Sequence, residues 1–98
     1  MTIEKAVADK TLEIKVSGRL DTTTAPQLEE VLKEAIGSSE LLVLDFENLE
    51  YLSSAGLRVI LAAQKIMNKQ GKMVVKHVNE TIMDIFEVTG FMDILTIE

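Results

Sequence analysis

The stretch of sequence that decides the fold runs from Leu41 to Leu61 and reads LLVLDFENLEYLSSAGLRVIL. Its first part, Leu41 to Phe46, is an apolar run that is long enough for a buried strand and too short for an independent helix. Its last part carries apolar residues through at least two helical turns from Leu57 onward. Ser53 and Ser54 lie between the two parts. This order predicts a strand-to-helix junction that carries two hydroxyl groups.

A helix that begins at these serines has a polar start. The first backbone N–H groups of a helix lack intrahelical partners, and the helix dipole is positive at that end. A serine oxygen, or a phosphate attached to it, is therefore electrostatically favoured there. Gly56 has no side chain, which lets another backbone or a partner surface come close. We expect a small exposed site at this junction, although Ser54 can equally be interpreted as a plain helix cap worth about 1 kcal/mol.

Strands and helices alternate along the rest of the chain. Outside the central strand, the predicted elements are a weak strand over Ile3 to Val7, a strand over Thr11 to Ser17, a helix from Thr24 to Gly37, a helix from about Ser54 to Gln70, a strand over Met73 to Val78, a helix capped by Asn79 and ended by Gly90, and a short final strand over Ile94 to Ile97. Such alternation implies right-handed crossovers and a mainly parallel sheet, with the first two strands antiparallel at one end.

The start of the first predicted helix carries a capping signal. Thr24 is expected to cap the third helical N–H with its side-chain oxygen, and Gln27 is expected to reach back to the helix start. Pro26 is tolerated in the first turn because the N–H that it lacks would have no partner there. The preceding residues, Gly18 to Thr23, are predicted to form a loop.

Composition bounds the class of protein. The chain has 98 residues, of which 47% are hydrophobic and none is cysteine. One domain over residues 1–98 can bury a core of this size without disulfides. The N-terminal residues lack the cationic start and apolar core of a signal peptide, and no apolar run approaches the roughly 20 residues that span a bilayer. We expect a soluble cytoplasmic protein with no membrane insertion.

The charge balance argues against a nucleic-acid partner. Sixteen acidic and ten basic side chains give a net charge of −6. This charge opposes binding to a polyphosphate backbone, because such binding depends on cationic side chains that release counterions. No direct contact with nucleic acid is predicted.

No arrangement of residues typical of catalysis is found. A serine nucleophile needs a base within hydrogen-bond reach, and the single histidine, His77, lies at the far end of a predicted strand. The spacing of Asp21, Asp45 and Glu47 matches no metal-ligand motif, and no glycine-rich nucleotide-binding motif is present. The sequence therefore predicts no enzymatic activity, no cofactor and no metal site.

Three short elements resemble the STAS domain, the fold of bacterial anti-sigma factor antagonists. Ser53 to Leu57 is similar to the family's Asp-Ser-Ser/Thr-Gly-Leu sequence, Gly18 to Asp21 to its early Gly-Glu-(Leu/Ile)-Asp turn, and Phe86 to Gly90 to its late Phe-x-x-(Ser/Thr)-Gly element. They occur in the family's order and together cover essentially the whole chain. Ser53 stands where the family has an acidic residue, and Ala55 stands where it has a second hydroxyl.

The resemblance implies both a fold and a site. The fold is α/β, with a mainly parallel sheet of four to five strands, an antiparallel pair of N-terminal strands and helices packed alongside. Ser54 becomes the phosphorylated serine, and the Asp21 carboxylate is expected beside it, where it would orient the hydroxyl or bind a kinase-linked cation. Tyr51 or Leu57 would add exposed apolar contact area. The implied partner-binding residues are Asp21, Ser53, Ser54, Ala55, Gly56, Leu57 and Arg58.

The function that the resemblance implies is a binding switch. The unphosphorylated protein would bind an anti-sigma factor with serine kinase activity and so free a sigma factor. Phosphorylation of Ser54 would switch that binding off, and a phosphatase would be a further partner. The alternative is a STAS docking subunit, not phosphorylated, of a lipid-transport ABC complex or of another signalling assembly.

Overall fold

The computed structural model describes residues 1–98 and alternates strands with helices, as the sequence predicts. In chain order the elements are β1 (Thr2–Ala8), β2 (Thr11–Leu20), α1 (Ala25–Ala35), β3 (Leu41–Asp45), β4 (Leu49–Leu52), α2 (Ser54–Gln70), β5 (Lys72–Lys76), α3 (Glu80–Thr89) and a short 3-10 helix (Phe91–Asp93). All three predicted helices are present.

The strands form one mixed sheet. β1 pairs antiparallel with β2, while β2, β3 and β5 run parallel to one another in that order. β4 pairs parallel with Gly18 to Leu20 of β2, beyond the part of β2 that pairs with β1 and β3. The predicted α/β class, with an antiparallel N-terminal pair and a mainly parallel sheet, is confirmed.

The elements share one core of 23 buried residues. β2 shows how the sequence specifies this core, because Leu12, Ile14 and Val16 are fully buried while the residues between them are partly exposed. The largest fully buried side chains are Phe46, directly after β3, and Phe86 of α3. Burial of such a side chain contributes about 1.5–3 kcal/mol. The core therefore fixes the positions at which strands end and helices begin.

β4 is a strand that the sequence analysis did not predict. Leu49 and Leu52 are buried, whereas Glu50 and Tyr51 between them are exposed. This four-residue pattern lacks the strict alternation of a strand, so its sequence resembles a turn. Because β4 provides a new partner, β2 continues through Gly18 to Leu20, where the sequence predicted a loop.

The C-terminal part also differs from the prediction. β5 ends earlier than expected, at Lys76, because His77 adopts a φ of 58°, in the left-handed region, which breaks the extended backbone. The predicted final strand over Ile94 to Ile97 is reduced to a single parallel bridge between Val75 and Ile97. The predicted final strand was therefore too long, and its one bridge is parallel, like most of the sheet.

Candidate functional site

The predicted strand-to-helix junction is present, and its two serines have different roles. Ser53 is the N-cap of α2, and its Oγ accepts a hydrogen bond from the Gly56 N–H at 3.4 Å. The Ser53 N–H donates to the Leu20 carbonyl at 2.9 Å, which ties the helix start to the end of β2. Ser54 is the first residue of α2 and is exposed. The cap role belongs to Ser53, so the Ser54 hydroxyl is free to face solvent.

Gly56 and Leu57 face the core rather than the surface. A Cβ atom on Gly56 would lie 2.7 Å from Leu20 Cγ and 2.7 Å from Leu52 Cδ1, so the glycine lets the helix pack closely on β2 and β4. Leu57 is also buried. The close approach that Gly56 allows is therefore internal to the protein and not the approach of a partner. Of Tyr51 and Leu57, the two residues expected to offer exposed apolar area, only Tyr51 is exposed.

Asp21 organises the turn between β2 and α1. Its Oδ1 accepts hydrogen bonds from the Thr23 hydroxyl at 2.7 Å, the Thr23 N–H at 3.0 Å and the Thr24 N–H at 3.2 Å. The hydrogen bond from the Thr23 side chain is the main cause that lowers the pKa of Asp21, with further help from the Thr24 N–H. The carboxylate is thus ionised at neutral pH, and its contacts serve its own turn rather than the Ser54 hydroxyl.

Thr24 does not cap α1 as predicted. Its Oγ1 accepts a hydrogen bond from the Asp21 N–H at 2.8 Å and donates to the Arg19 carbonyl at 2.8 Å, and it makes no cap bond to the helix. Thr24 has helical backbone angles, with φ −100° and ψ −22°, instead of the extended angles typical of a capping residue, and its hydroxyl closes the turn.

A charged and aromatic strip follows the end of β2. Arg19 Nε lies 3.8 Å from Asp21 Oδ2, and the guanidinium lies over the Tyr51 ring at 4.3 Å from its centroid. Pairs of this kind on a surface contribute little to stability, but they hold side chains in a defined arrangement. The strip connects the early turn of the predicted signature with β4, directly before the serines.

A shallow hollow of about 200 Å³ opens between the starts of α1 and α2. Ala55 and Arg58 line it from α2, opposite Ala25 and Pro26 of α1. Ala55 is half-buried and Arg58 is exposed. The structure therefore places Ser54, Ala55 and Arg58 at one accessible helix end, beside a concave surface.

The late signature element terminates α3. The Thr89 hydroxyl donates to the Ile85 carbonyl at 2.6 Å, and Gly90 has a φ of 80° that ends the helix. Phe86 is fully buried in the core. The hydrogen bonds of Thr89 stay within its own helix, so this element supports the fold.

One polar cluster was not found by sequence reasoning. His77 Nδ1 lies 3.0 Å from Asp45 Oδ1 and 3.5 Å from Glu47 Oε2. Burial raises the pKa of Asp45, but the hydrogen bond from the Glu47 N–H and the pairing with His77 outweigh it, so the pKa is lowered. The sequence analysis considered the spacing of Asp45 and Glu47 together with Asp21, and considered His77 only as a partner for a serine nucleophile. The available signal was topological, because the carboxyl ends of adjacent parallel strands meet at one edge of the sheet.

Comparisons with known proteins agree with this architecture. The model of the STAS domain family matches residues 2–98. The chain therefore belongs to the STAS domain family. The anti-sigma-B factor antagonist of Staphylococcus aureus is 36% identical to it across an alignment of 98 positions, which covers 97% of this chain and 90% of that relative.

Solved structures give the same result. An anti-sigma factor antagonist from Mycobacterium paratuberculosis is 26% identical, with a TM-score of 0.89 over 98% of this chain and 83% of that chain. SpoIIAA in its unphosphorylated form is 18% identical, with a TM-score of 0.84 over 99% of this chain and 88% of that chain. The phosphorylated form of SpoIIAA is 19% identical, with a TM-score of 0.77 over 99% of this chain and 91% of that chain. At this identity, the likeness to SpoIIAA shows the fold alone.

None of the helices combines the length and apolar composition needed to cross a bilayer.

Proposed function

We propose that this protein is an anti-sigma factor antagonist whose docking surface is centred on Ser54. The observation that carries the proposal is the exposure of Ser54 at the first position of α2, while Ser53 caps the helix. In its unphosphorylated form the protein binds an anti-sigma factor with serine kinase activity, and this binding frees a sigma factor. A relative of 36% identity named as an anti-sigma-B factor antagonist supports the assignment.

Phosphorylation of Ser54 is the proposed off-switch. A phosphate adds about −1.5 to −2 charges. The first turn of α2 contains no acidic residue, and its dipole favours an anion, so the free protein tolerates the group. Arg58 lies one helical turn further on and is exposed. At a docked interface the same phosphate would be desolvated and would displace close contacts. Phosphorylation would therefore destabilise the complex more than the free protein and weaken binding.

The docking surface has an exposed part and a supporting part. Ser54 and Arg58 are exposed at the helix end, Ser53 and Ala55 beside them are half-buried, and Asp21 holds the neighbouring turn in shape. Gly56 and Leu57 set the depth of the helix from below. The chain itself acts as the kinase's substrate, in the cytoplasm, without contact to nucleic acid, and a phosphatase resets it.

A second function is favoured by one observation. Ser53 stands where the family signature has an acidic residue, and Ala55 removes a second hydroxyl. A STAS domain without that acidic residue fits a docking subunit that is never phosphorylated, in a lipid-transport ABC complex or another assembly. The helix end around Ser54 would then be a permanent contact face.

A binding experiment separates the two functions. Wild type, Ser54→Asp, Ser54→Ala and the control Ser38→Asp, an exposed serine outside the junction, are used as baits in lysate of the native host. We expect wild type, Ser54→Ala and Ser38→Asp to retain a kinase-like anti-sigma factor, and Ser54→Asp to lose it.

The phosphorylation state of the recovered baits is read by mass spectrometry. Phosphate on Ser54 of the wild-type bait, and none on Ser54→Ala, supports the switch. An aspartate variant that binds the anti-sigma factor as tightly as wild type contradicts it. Equal capture of transporter subunits by all four baits, with no phosphate, would instead establish the docking subunit.

A further inference from the structure

The cluster of Asp45, Glu47 and His77 offers three metal-ligand atoms from two separate parts of the chain. One donor atom from each residue lies within 4.8 Å of the other two. His77 Nδ1 is 3.0 Å from the Asp45 carboxylate and 3.5 Å from the Glu47 carboxylate. None of these side chains belongs to the Ser54 surface, so the cluster requires its own explanation.

Two of the three separations are close to the edge length of a tetrahedral site, and the third, between Asp45 and Glu47, is no more than 4.8 Å. Zinc binds imidazole nitrogen and carboxylate oxygen at about 2.0–2.2 Å, and tetrahedral geometry then places neighbouring ligand atoms about 3.4 Å apart. The two measured distances from His77 Nδ1, 3.0 and 3.5 Å, lie on either side of this value. One nitrogen and two carboxylate oxygens suit zinc and similar divalent transition metal ions.

The backbone presents two of the ligands from ordered strand ends. Asp45 is the last residue of β3, and it pairs with Lys76, the last residue of β5. His77 follows immediately, and its left-handed φ of 58° turns the chain away from the strand direction. Its imidazole contacts the carboxylate of β3 from there. Asp45 is buried, with 7% relative exposure, so the position of this ligand is fixed by packing.

Glu47 provides access to the cluster from solvent. Its side chain is 57% exposed, and it borders an open hollow of about 540 Å³. An ion can enter from this side, and a water molecule can complete its coordination. Small rotations of this exposed side chain can bring its oxygen into the tetrahedral position without moving a strand.

The local charge favours a dication. Two carboxylates face one imidazole, and the nearest ammonium group, on Lys76, is already bound to Glu13 at 3.1 Å. The charge of Lys76 also acts on Asp45 and Glu47, but its ammonium group is hydrogen-bonded to Glu13. A divalent ion would balance the two negative charges that converge on His77.

We propose that His77 Nδ1, one oxygen of Asp45 and one oxygen of Glu47 bind a single divalent transition metal ion of the zinc class, with water as the fourth ligand. The ion would link the segment after β3 to the segment after β5. This site is independent of the proposed function at Ser54.

The proposal is tested by titrating zinc into tag-free, chelator-treated protein and recording the heat of binding by calorimetry. His77→Asn is the decisive variant, since asparagine tolerates the left-handed backbone and the chain has a single histidine and no cysteine. We expect one zinc ion per wild-type chain. Loss of a second-shell partner already costs 10–100-fold in affinity, so losing the ligand itself should weaken binding about a hundredfold or more.

Matched variants keep the test specific. Glu47→Gln should also weaken binding, whereas Glu50→Gln, an exposed carboxylate on β4, should leave it unchanged. In wild type, zinc should shift the imidazole nuclear magnetic resonance signals of His77, a readout that needs no variant to fold. Equal zinc affinity in wild type and His77→Asn, or the absence of saturable binding and of imidazole shifts, would overturn the proposal and leave an ion pair only.

Discussion

The two polar sites of this protein are held in place in opposite ways. The Ser54 surface lies on a helix end that is fixed from below, where Gly56 packs against buried leucine side chains. In the cluster of Asp45, Glu47 and His77, the polar side chains hold one another. The difference teaches where function and stability separate. On the proposed docking surface, changes to the exposed residue Ser54 would alter binding without altering stability, whereas changes to the cluster of Asp45, Glu47 and His77 would alter stability.

Gly56→Val tests the packed underside of the first site and should have the largest effect. The new side chain meets Leu20 and Leu52, which are fully or almost fully buried. Overpacking of this kind costs about 1–3 kcal/mol of unfolding free energy, measured by urea denaturation. Ala62→Val, at an exposed position of the same helix, is the control and should cost less than about 0.7 kcal/mol. Equal stability of the two variants would show that the helix does not need close approach at Gly56.

Asp45→Asn tests the mutual support in the second site. It removes the charge that pairs with His77 but keeps an oxygen that can accept from the Glu47 N–H. We expect a loss of roughly 1 kcal/mol at neutral pH, measured in chelator so that no metal contributes.

The pH dependence of this loss has a definite sign. The pKa of folded Asp45 lies below its ordinary value of 3.8, because hydrogen bonding by the Glu47 N–H and pairing with His77 outweigh burial. The stabilisation is therefore present above pH 3.8 and is lost as the pH falls through the folded value. The stability difference between wild type and Asp45→Asn should shrink in that acidic range. A difference that grows on acidification would contradict the assignment.

The smallest effect should distinguish the two adjacent serines. Ser53→Ala removes the N-cap, and because its hydrogen bond to Gly56 is long, at 3.4 Å, we expect a loss near the lower end of the cap range, about 0.5 kcal/mol. Ser54→Ala removes an exposed hydroxyl that does not cap the helix and should leave stability unchanged. Thermal unfolding of both variants in parallel is sufficient. A larger loss of stability for Ser54→Ala than for Ser53→Ala would contradict the assignment of the cap to Ser53.

Features that are continuous in sequence were predictable, and features made by distant contacts were not. The run from Leu41 to Phe46 and the serines that precede Leu57 identify a strand and a helix start from local pattern alone. β4 was missed because Leu49 and Leu52 are buried by pairing with β2, a contact that no local pattern contains. The sequence left open whether another backbone or a partner surface approaches Gly56, because the burial of this glycine depends on the same strand.

The cluster around His77 illustrates the same limit. Its members come from the ends of two strands that are separated by the whole of α2. Their spacing in the sequence carries no metal-ligand motif, so the sequence predicts no metal site, and the metal ion proposed for this cluster is a hypothesis that zinc titration tests. The order of the parallel strands brings Asp45 and His77 together.

The close packing of Gly56 has a consequence for timing. Because the start of α2 is seated on β2 and β4 before any partner arrives, chemical modification of the neighbouring exposed hydroxyl does not require the chain to rearrange. Under the proposed switch, the response would then need no slow conformational step within this chain. Its speed would be set by how often two proteins meet and how long each complex lasts.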